Sequence, residues 1–543
     1  MDYKERYNLW LTKAKDKKIL KELKAMTDEQ KNLAFFKDMS FGTAGIRGTV
    51  GAGSNCMNIY TVGKTTTAVS KYLTKHGGKS VAISYDNRNM SFEFARLAAS
   101  IFAFHGIKTY ITKKMMPTPF LSYMVRFYKT DMGVMITASH NPREYNGYKV
   151  YDSDGCQLLD KPSLDIMEIS NKLDLFKLEF ADFDEAVKKG LIVFAEKDVL
   201  EAYKKDVKKQ SKNKIKDLKI VYSALNGTGI HTLPQILREC GAKIILNKVQ
   251  CKADKNFTTC PYPNPEKLEV FETSLPIAKE NQADLIILSD PDADRVGVEV
   301  LHKGEYVHLS GNEMGALLTD YILTRQKVKD GYIVKSIVST NLAKQIAEKH
   351  GVACKDVLTG FKYIGEFITG LEKKKQEKKY LLGFEESYGY LIGTHVRDKD
   401  ATVASLVIAE MASEYKKQNK TLIDRLEELF AEFGFYENKV LTYKFAGSVG
   451  AEKMTNILEG LRKNNPTAFG DKKVVSQKDY AKGIDGLPKA NVLQYDLTDG
   501  AQVIVRPSGT EPIIKVYITL SETKAKNAKS LKNITKDIDL LLK

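Results

Sequence analysis

Ser139 stands in Thr137-Ala138-Ser139-His140-Asn141-Pro142, directly after the apolar run Gly133-Val134-Met135-Ile136. Proline biases the residue before it away from helix, so a strand running into Asn-Pro turns sharply. Such a turn holds a hydroxyl out at the end of a sheet, next to an imidazole. An ordinary strand-to-loop turn has the same composition. Asp290, Asp292 and Asp294 follow a second apolar run, Leu285-Ile286-Ile287-Leu288. Three carboxylates at alternate positions of a loop make an oxygen cage for a hard cation and leave coordination positions that a phosphate oxygen can fill. Without a positive partner their repulsion is costly. An EF-hand loop is excluded, because Arg295 stands where its turn glycine belongs and Leu301 where its closing glutamate belongs. A solvated acidic turn is the remaining alternative. Against it, the preceding strand aims these residues at the carboxyl edge of a sheet, where α/β proteins bind ligands.

Arg506-Pro507-Ser508-Gly509-Thr510-Glu511-Pro512 combines a forked guanidinium, two hydroxyls and a glycine that lets backbone N–H groups approach an anion. A hairpin turn also accommodates these residues. In Gly383-Phe384-Glu385-Glu386-Ser387-Tyr388-Gly389, Glu385 and Ser387 have the acceptor and donor groups to read sugar hydroxyls. A surface loop between strands fits the same residues. Phe41-Gly42-Thr43-Ala44-Gly45-Ile46-Arg47-Gly48 is a fifth segment of this kind. The five are spread over most of the chain, so a site shared among them has to lie where several domains meet. Two phosphate-like stretches fail their patterns. Gly63-Lys64-Thr65 has Asn58 where a P-loop requires glycine, and Gly51-Ala52-Gly53 is followed by Cys56 in place of the third glycine of a dinucleotide fingerprint.

The elements that must position these residues read as alternating strands and helices. Ser80-Val81-Ala82-Ile83-Ser84-Tyr85, Ile220-Val221-Tyr222, Lys243-Ile244-Ile245-Leu246 and Tyr332-Ile333-Val334 are further strands, and the stretch 94–102 is a helix. This pattern predicts α/β domains with largely parallel sheets. Near the C-terminus, Gln502-Val503-Ile504-Val505 and Ile513-Ile514-Lys515-Val516-Tyr517-Ile518 flank the Pro-Ser-Gly loop. A closing helix with Leu531, Ile534, Ile538 and Leu541 on one face completes a smaller α+β domain. No internal repeat is visible. The length of 543 residues suits three to four domains. The net charge of +16 falls largely in lysine runs that read as solvated faces or linkers, and no nucleic-acid signature accompanies them. A basic field of this kind attracts phosphorylated metabolites. Six cysteines without Cys-x-x-Cys spacing give neither a zinc site nor a disulfide framework. There is no apolar signal core at the N-terminus and no run long enough to span a bilayer, so a cytoplasmic protein without a membrane partner is expected.

Together, and in this chain order, the five segments resemble the α-D-phosphohexomutase superfamily, in its phosphoglucomutase/phosphopentomutase-type branch. The stretch from Thr394 to Asp400, Thr-His-Val-Arg-Asp-Lys-Asp, strengthens the likeness. The resemblance implies four domains around a central cleft: three similar α/β units with mixed, largely parallel sheets and a smaller C-terminal α+β domain. Their expected extents are 1–205, 206–325, 326–440 and 441–543. It implies Ser139 as the phosphoserine, and Asp290, Asp292 and Asp294 as Mg²⁺ ligands completed by the Ser139 phosphate. Arg47 and His140 would lie near that phosphate, Lys149 would be a general acid/base, and Lys362 would be a second basic group. Thr359, Gly360, Glu385, Ser387 and Arg295 fall to substrate binding, with Arg506, Ser508, Gly509, Thr510 and Lys515 clamping the non-reacting phosphate. The implied partners are sugar phosphates, with a hexose 1,6-bisphosphate as intermediate and activator. The implied reaction moves phosphate between C1 and C6 of glucose. Pentose 1-phosphates, mannose phosphates, a phosphatase using the same acidic metal site and a non-catalytic sugar-phosphate sensor are the alternatives.

Overall fold

The computed structural model describes residues 1–542 apart from 43, 196, 327–329, 446, 485 and 509–512. Four sheets follow one another along the chain. The first holds β1 (Gly45–Thr49), β2 (Ser80–Tyr85), β3 (Lys108–Ile111), β4 (Met132–Ile136), β5 (Tyr145–Tyr151) and β6 (Ile192–Phe194). The second holds β7 (Lys219–Ser223), β8 (Lys243–Leu246), β9 (Leu285–Ser289), β10 (Val296–His302) and β11 (Glu305–Leu309). The third holds β12 (Tyr332–Ser336), β13 (Ala353–Val357), β14 (Tyr380–Glu385) and β15 (Gly389–Ile392).

These three sheets share one wiring. The orders β5-β4-β2-β3, β10-β9-β7-β8 and β15-β14-β12-β13 are the same path, with the first pair antiparallel and the other two pairs parallel. β4 and β9 are buried at every residue, which is why both read as unbroken apolar runs. In each unit the antiparallel pair closes a hairpin: 137–144, 290–295 and 386–388. The serine, aspartate and glutamate segments are thus equivalent connections at the carboxyl end of equivalent strands. This repeat is the three similar α/β units that the resemblance implies; it is a property of topology, with no repeat visible in the sequence itself.

The fourth sheet is wholly antiparallel, in the order β16 (Glu437–Lys444), β21 (Ile513–Leu520), β20 (Gln502–Pro507), β19 (Leu493–Leu497), β18 (Lys472–Asp479) and β17 (Ala468–Phe469). The helix Lys524–Leu542 packs on it through Ile534, Ile538 and Leu542. Leu541, expected on that face, is 45% exposed, because four-residue steps from Ile534 lead to Leu542. One apolar cluster runs through the first three units, and separate clusters fill the rest of the first and the second. The fourth meets the third through a small separate cluster that includes Leu358, Ile504 and Tyr517.

Two of the expected domain limits differ from the observed elements. β16 spans the limit between 440 and 441; its partly exposed residues left no apolar strand to read. The helix Gly311–Gln326 packs on β14 and on the helix Leu342–Lys349, so it belongs with the third sheet rather than the second. Among the described residues no helix is long and apolar enough to cross a membrane. All six cysteines are free.

Candidate active site

The hairpin after β4 places Ser139 in the left-handed region at φ 53°, a conformation costly for a side-chain-bearing residue and held here by its surroundings. Its N–H donates to Thr137 Oγ1 at 2.8 Å. The Thr137 hydroxyl in turn donates to the buried Asp86 at 2.6 Å. The Ser139 hydroxyl donates to Asp290 Oδ2 at 3.0 Å and lies 3.1 Å from His140 Nδ1. A serine of the first unit thereby meets the aspartate loop of the second. Burial, then Arg295 and Arg47, push the His140 imidazole well below its ordinary pKa, so it is neutral beside the serine.

The three aspartates offer oxygens within 4.8 Å of one another, and all three are buried. Burial and its two neighbours push the Asp290 carboxyl well up. Burial also acts on Asp292, but Lys149 outweighs it and the net shift is downward. Lys149 Nζ lies 2.9 Å from Asp292 Oδ2, which also accepts the Thr118 hydroxyl at 2.7 Å. Lys399 Nζ lies 3.1 Å from Asp294 Oδ2 and 2.8 Å from Asp398 Oδ1. The outer oxygens are therefore occupied, whereas the buried Oδ1 atoms of Asp292 and Asp294 have no hydrogen-bond partner. Two orphaned carboxylate oxygens beside a third carboxylate and a serine oxygen form a hard, all-oxygen donor set that fits Mg²⁺.

Lys149 is carried by β5, which pairs with β1 so that Arg47 faces Gly147. Arg47 is exposed and donates to Asn141 Oδ1 at 3.3 Å. Arg295 donates its backbone N–H to Asp290 Oδ1 at 3.0 Å and pairs with Glu266 at 2.7 Å. It also bridges to Gly389 of the third unit. Glu385, buried at the end of β14, accepts the Gly360 N–H at 2.7 Å, which joins the 359–360 turn to the 386–388 hairpin. The Thr359 hydroxyl is buried there without a partner. Ser387 is half-buried in the hairpin itself. Arg506 and Lys515 face each other across β20 and β21, with Ser508 at the mouth of their loop. Gly509 and Thr510 lie outside the described residues.

Lys362, the expected second basic group, has its ammonium buried and held by Asp160 of the first unit at 2.6 Å, so in this structure it ties the third unit to the first and stands apart from the aspartate cluster. The cation that joins Lys149 there is Lys399, from the hairpin-following stretch 394–400.

Arg88 was not legible as a site residue. It follows β2, is buried, and its guanidinium donates to the carbonyls of Ser139, Asn141, Pro142 (2.8 Å) and Tyr145 (3.1 Å). Its Nε is 3.3 Å from Asp86 Oδ2, and the group lies over the Phe257 ring at 5.1 Å. One side chain thus fixes both ends of the serine hairpin.

Residues 38–176, 200–303, 310–433 and 458–536 match, in order, the family models of phosphoglucomutase/phosphomannomutase alpha/beta/alpha domains I, II and III and its C-terminal domain. A phosphoglucomutase of Staphylococcus haemolyticus (strain JCSC1435) is 35% identical over 550 residues, covering 97% of this chain and 98% of that protein. One of Staphylococcus epidermidis (strain ATCC 35984) is 38% identical over 516 residues, covering 91% and 93%. Among solved structures, pp63/parafusin, a phosphoglucomutase of Paramecium in an open form, shares the fold. Its TM-score is 0.70 at 18% identity, with 93% of this chain and 95% of that chain covered. A phosphoglucomutase/phosphomannomutase family protein from Burkholderia thailandensis shares it too, with TM-score 0.70 at 17% identity and 92% and 97% coverage.

Proposed function

Since the chain belongs to the phosphoglucomutase/phosphomannomutase family and is thus a phosphohexomutase, we propose that it interconverts glucose 1-phosphate and glucose 6-phosphate through phosphorylated Ser139 and a glucose 1,6-bisphosphate intermediate. The observation that carries this reading is the 3.0 Å contact between Ser139 Oγ and Asp290, the first of three clustered aspartates. It brings a nucleophile, a cation site and two ammonium groups to one point.

Ser139 gives its phosphoryl group to the sugar phosphate and recovers the other phosphoryl group from the bisphosphate, so that one intermolecular transfer becomes two steps. Asp290, Asp292 and Asp294, with a phosphate oxygen on Ser139, would hold Mg²⁺, which when bound neutralises charge on the transferring group. Lys149 and Lys399, both raised in pKa by neighbouring carboxylates against the effect of burial, stay protonated and stabilise the phosphoryl oxygens. Lys149 enters as the acid: it gives its proton to the Ser139 oxygen as the phosphoryl group leaves and recovers one from the accepting sugar hydroxyl. Arg47 closes the phosphoserine side. Glu385 and Ser387 read the sugar, helped by Thr359, Gly360 and Arg295. Arg506, Ser508, Gly509, Thr510 and Lys515 hold whichever phosphate is not reacting. The bisphosphate must turn over between half-reactions, and a cleft lined by four units gives it room while excluding water. The six free thiols accord with a reducing cytoplasm.

The test is kcat/KM for α-glucose 1-phosphate, α-mannose 1-phosphate and α-ribose 1-phosphate, each with Mg²⁺ and the matching bisphosphate. A preference for glucose of tenfold or more is the expected result. A preference for ribose would make the enzyme a phosphopentomutase and overturn the assignment of Glu385 and Ser387 to a hexose.

A further inference from the structure

β14 and β15 pair Glu385 with Gly389, so Glu386, Ser387 and Tyr388 form a three-residue hairpin. Hairpins of this length place a left-handed residue at the end of the loop, where glycine fits at little cost. Here that residue is Tyr388, at φ 67°, although a glycine follows it directly. A bulky side chain in the left-handed region persists only where its surroundings hold it.

The holding groups come from the second unit. Tyr388 is 8% exposed, and its hydroxyl lies 2.9 Å from His308 Nε2 on β11. The His308 ring stands edge-on to Phe271 at 5.2 Å, which fixes its plane. Burial lowers the pKa of His308 to about 4, so the imidazole is neutral and keeps a bare nitrogen for the phenol. The Tyr388 carbonyl accepts the N–H of Val296 at 3.1 Å, and Arg295 bridges to Gly389. Both Arg295 and Val296 lead directly out of the aspartate loop. A side chain at Gly311, the first residue of the helix Gly311–Gln326, would overlap the Glu386 carbonyl, so helix and hairpin backbones touch. Glu386 is anchored on the other flank, within the third unit. Its carboxylate accepts the Ser336 hydroxyl at 3.0 Å, and its N–H donates to Ser339 Oγ at 3.0 Å. Both neighbours of Ser387 are thus fixed, one to each unit. Ser387 itself is half-buried, and among the described residues its hydroxyl has no hydrogen-bond partner.

Resting on the reading of Glu385 and Ser387 as the groups that meet the sugar, we propose that Tyr388 and His308 are positioning residues for sugar selectivity. Through them the second unit holds the hairpin in one register against the aspartate loop. A hexose whose reacting phosphate lies at the aspartates then presents its hydroxyls to Glu385 and Ser387 in one orientation.

The test is kcat and KM of the full-length enzyme, with Mg²⁺ and bisphosphate, for α-glucose 1-phosphate and its epimers α-mannose 1-phosphate and α-galactose 1-phosphate. Tyr388→Phe keeps the ring and removes the hydroxyl. It should raise KM for glucose 1-phosphate roughly fivefold, leave kcat within about threefold, and lower the preference for glucose over at least one epimer roughly fivefold. His308→Leu should do the same, and the double variant should be no worse than either single one. His308→Gln, whose amide oxygen can accept the phenol, should keep most of the parental preference. Ser387→Ala separates this proposal from the reading beneath it. A preference that falls in Ser387→Ala but stays parental in Tyr388→Phe and His308→Leu would overturn the positioning role and leave the sugar assignment standing. A preference unchanged in Ser387→Ala as well would overturn both. Equal losses for all three sugars, with a lower Tm, would show a packing role only and also overturn the proposal.

Discussion

Replacing Arg88 by methionine keeps most of its packing on Phe257 and removes its charge and all its donors. Four carbonyls of the 139–145 hairpin then lose their donor, and Asp86 loses its counter-charge in a site without solvent. Breaking one side of a buried ion pair costs about 3–5 kcal/mol. The carbonyls of Asn141, Pro142 and Tyr145 are partly exposed and can find water, so they add little stability, whereas that of Ser139 is buried; all four lose their fixed position. For a unit of this size the loss corresponds to a fall in Tm of roughly 10 °C. A displacement of Ser139 Oγ by about 1 Å from its place beside Asp290 corresponds to about a hundredfold loss of kcat. The two effects separate in the double variant Asp86→Asn/Arg88→Met. It no longer buries an unpaired carboxylate, so thermal denaturation should show at least half the lost Tm restored. The hairpin still lacks its donor, so kcat should stay within a few-fold of the single variant. Arg88→Met with parental Tm and kcat would refute the role given to this residue. A double variant that regains kcat along with Tm would show that Asp86, and not the grip on the hairpin, was what mattered.

Lys399→Met should lower kcat about a hundredfold, because it strips a cation from Asp294, whereas Lys362→Met should lower Tm and leave kcat within about threefold; steady-state kinetics on both variants would expose the reverse pattern. Thr118→Val removes a 2.7 Å hydrogen bond from Asp292 Oδ2, so the Mg²⁺ concentration for half-maximal activity should rise roughly tenfold in a metal titration after chelation, with kcat at saturating Mg²⁺ nearly unchanged. Glu299, on β10 and 8% exposed, is pushed by burial from 4.5 up to about 7. Its folded pKa exceeds its unfolded one, so the folded state loses stability as pH rises from about 4.5 and the loss is complete above about 7, amounting to about 3 kcal/mol. Glu299→Gln should accordingly raise Tm at pH 8 and leave it unchanged at pH 4; equal gains at both pH values would contradict this.

The chemistry of the site was legible in the sequence where it was concentrated. Ser139 and the three aspartates sit in hairpins dense with glycine, proline and polar groups, and Glu385 and Arg506 at the ends of the strands that run into such hairpins, all beside strands whose burial shows as apolar runs. Residues that work from elsewhere were not legible. Arg88 acts on backbone carbonyls 51 to 57 residues away, and no pattern of side chains announces that. Lys399 and Thr118 come to the aspartates only through packing of the third and first units against the second. Lys362 has the right neighbours in sequence, but it lies on the face of its helix that meets Asp160. The threefold repeat was hidden for a related reason. β2, β7 and β12 occupy the same place in three sheets, yet a buried strand demands only apolar residues of suitable size, so equivalent strands need share no residue. β16, with partly exposed residues along its length, gave no signal at all.

The central claim is that Ser139 carries the phosphoryl group. The direct measurement is peptide mass spectrometry of the full-length enzyme after brief incubation with glucose 1,6-bisphosphate and Mg²⁺, followed by a chase with glucose 1-phosphate. The account predicts a phosphate on the peptide containing Ser139, lost in the chase with matching formation of the bisphosphate, and no turnover in Ser139→Ala. An unmodified Ser139, or mutase turnover that survives Ser139→Ala, would contradict it.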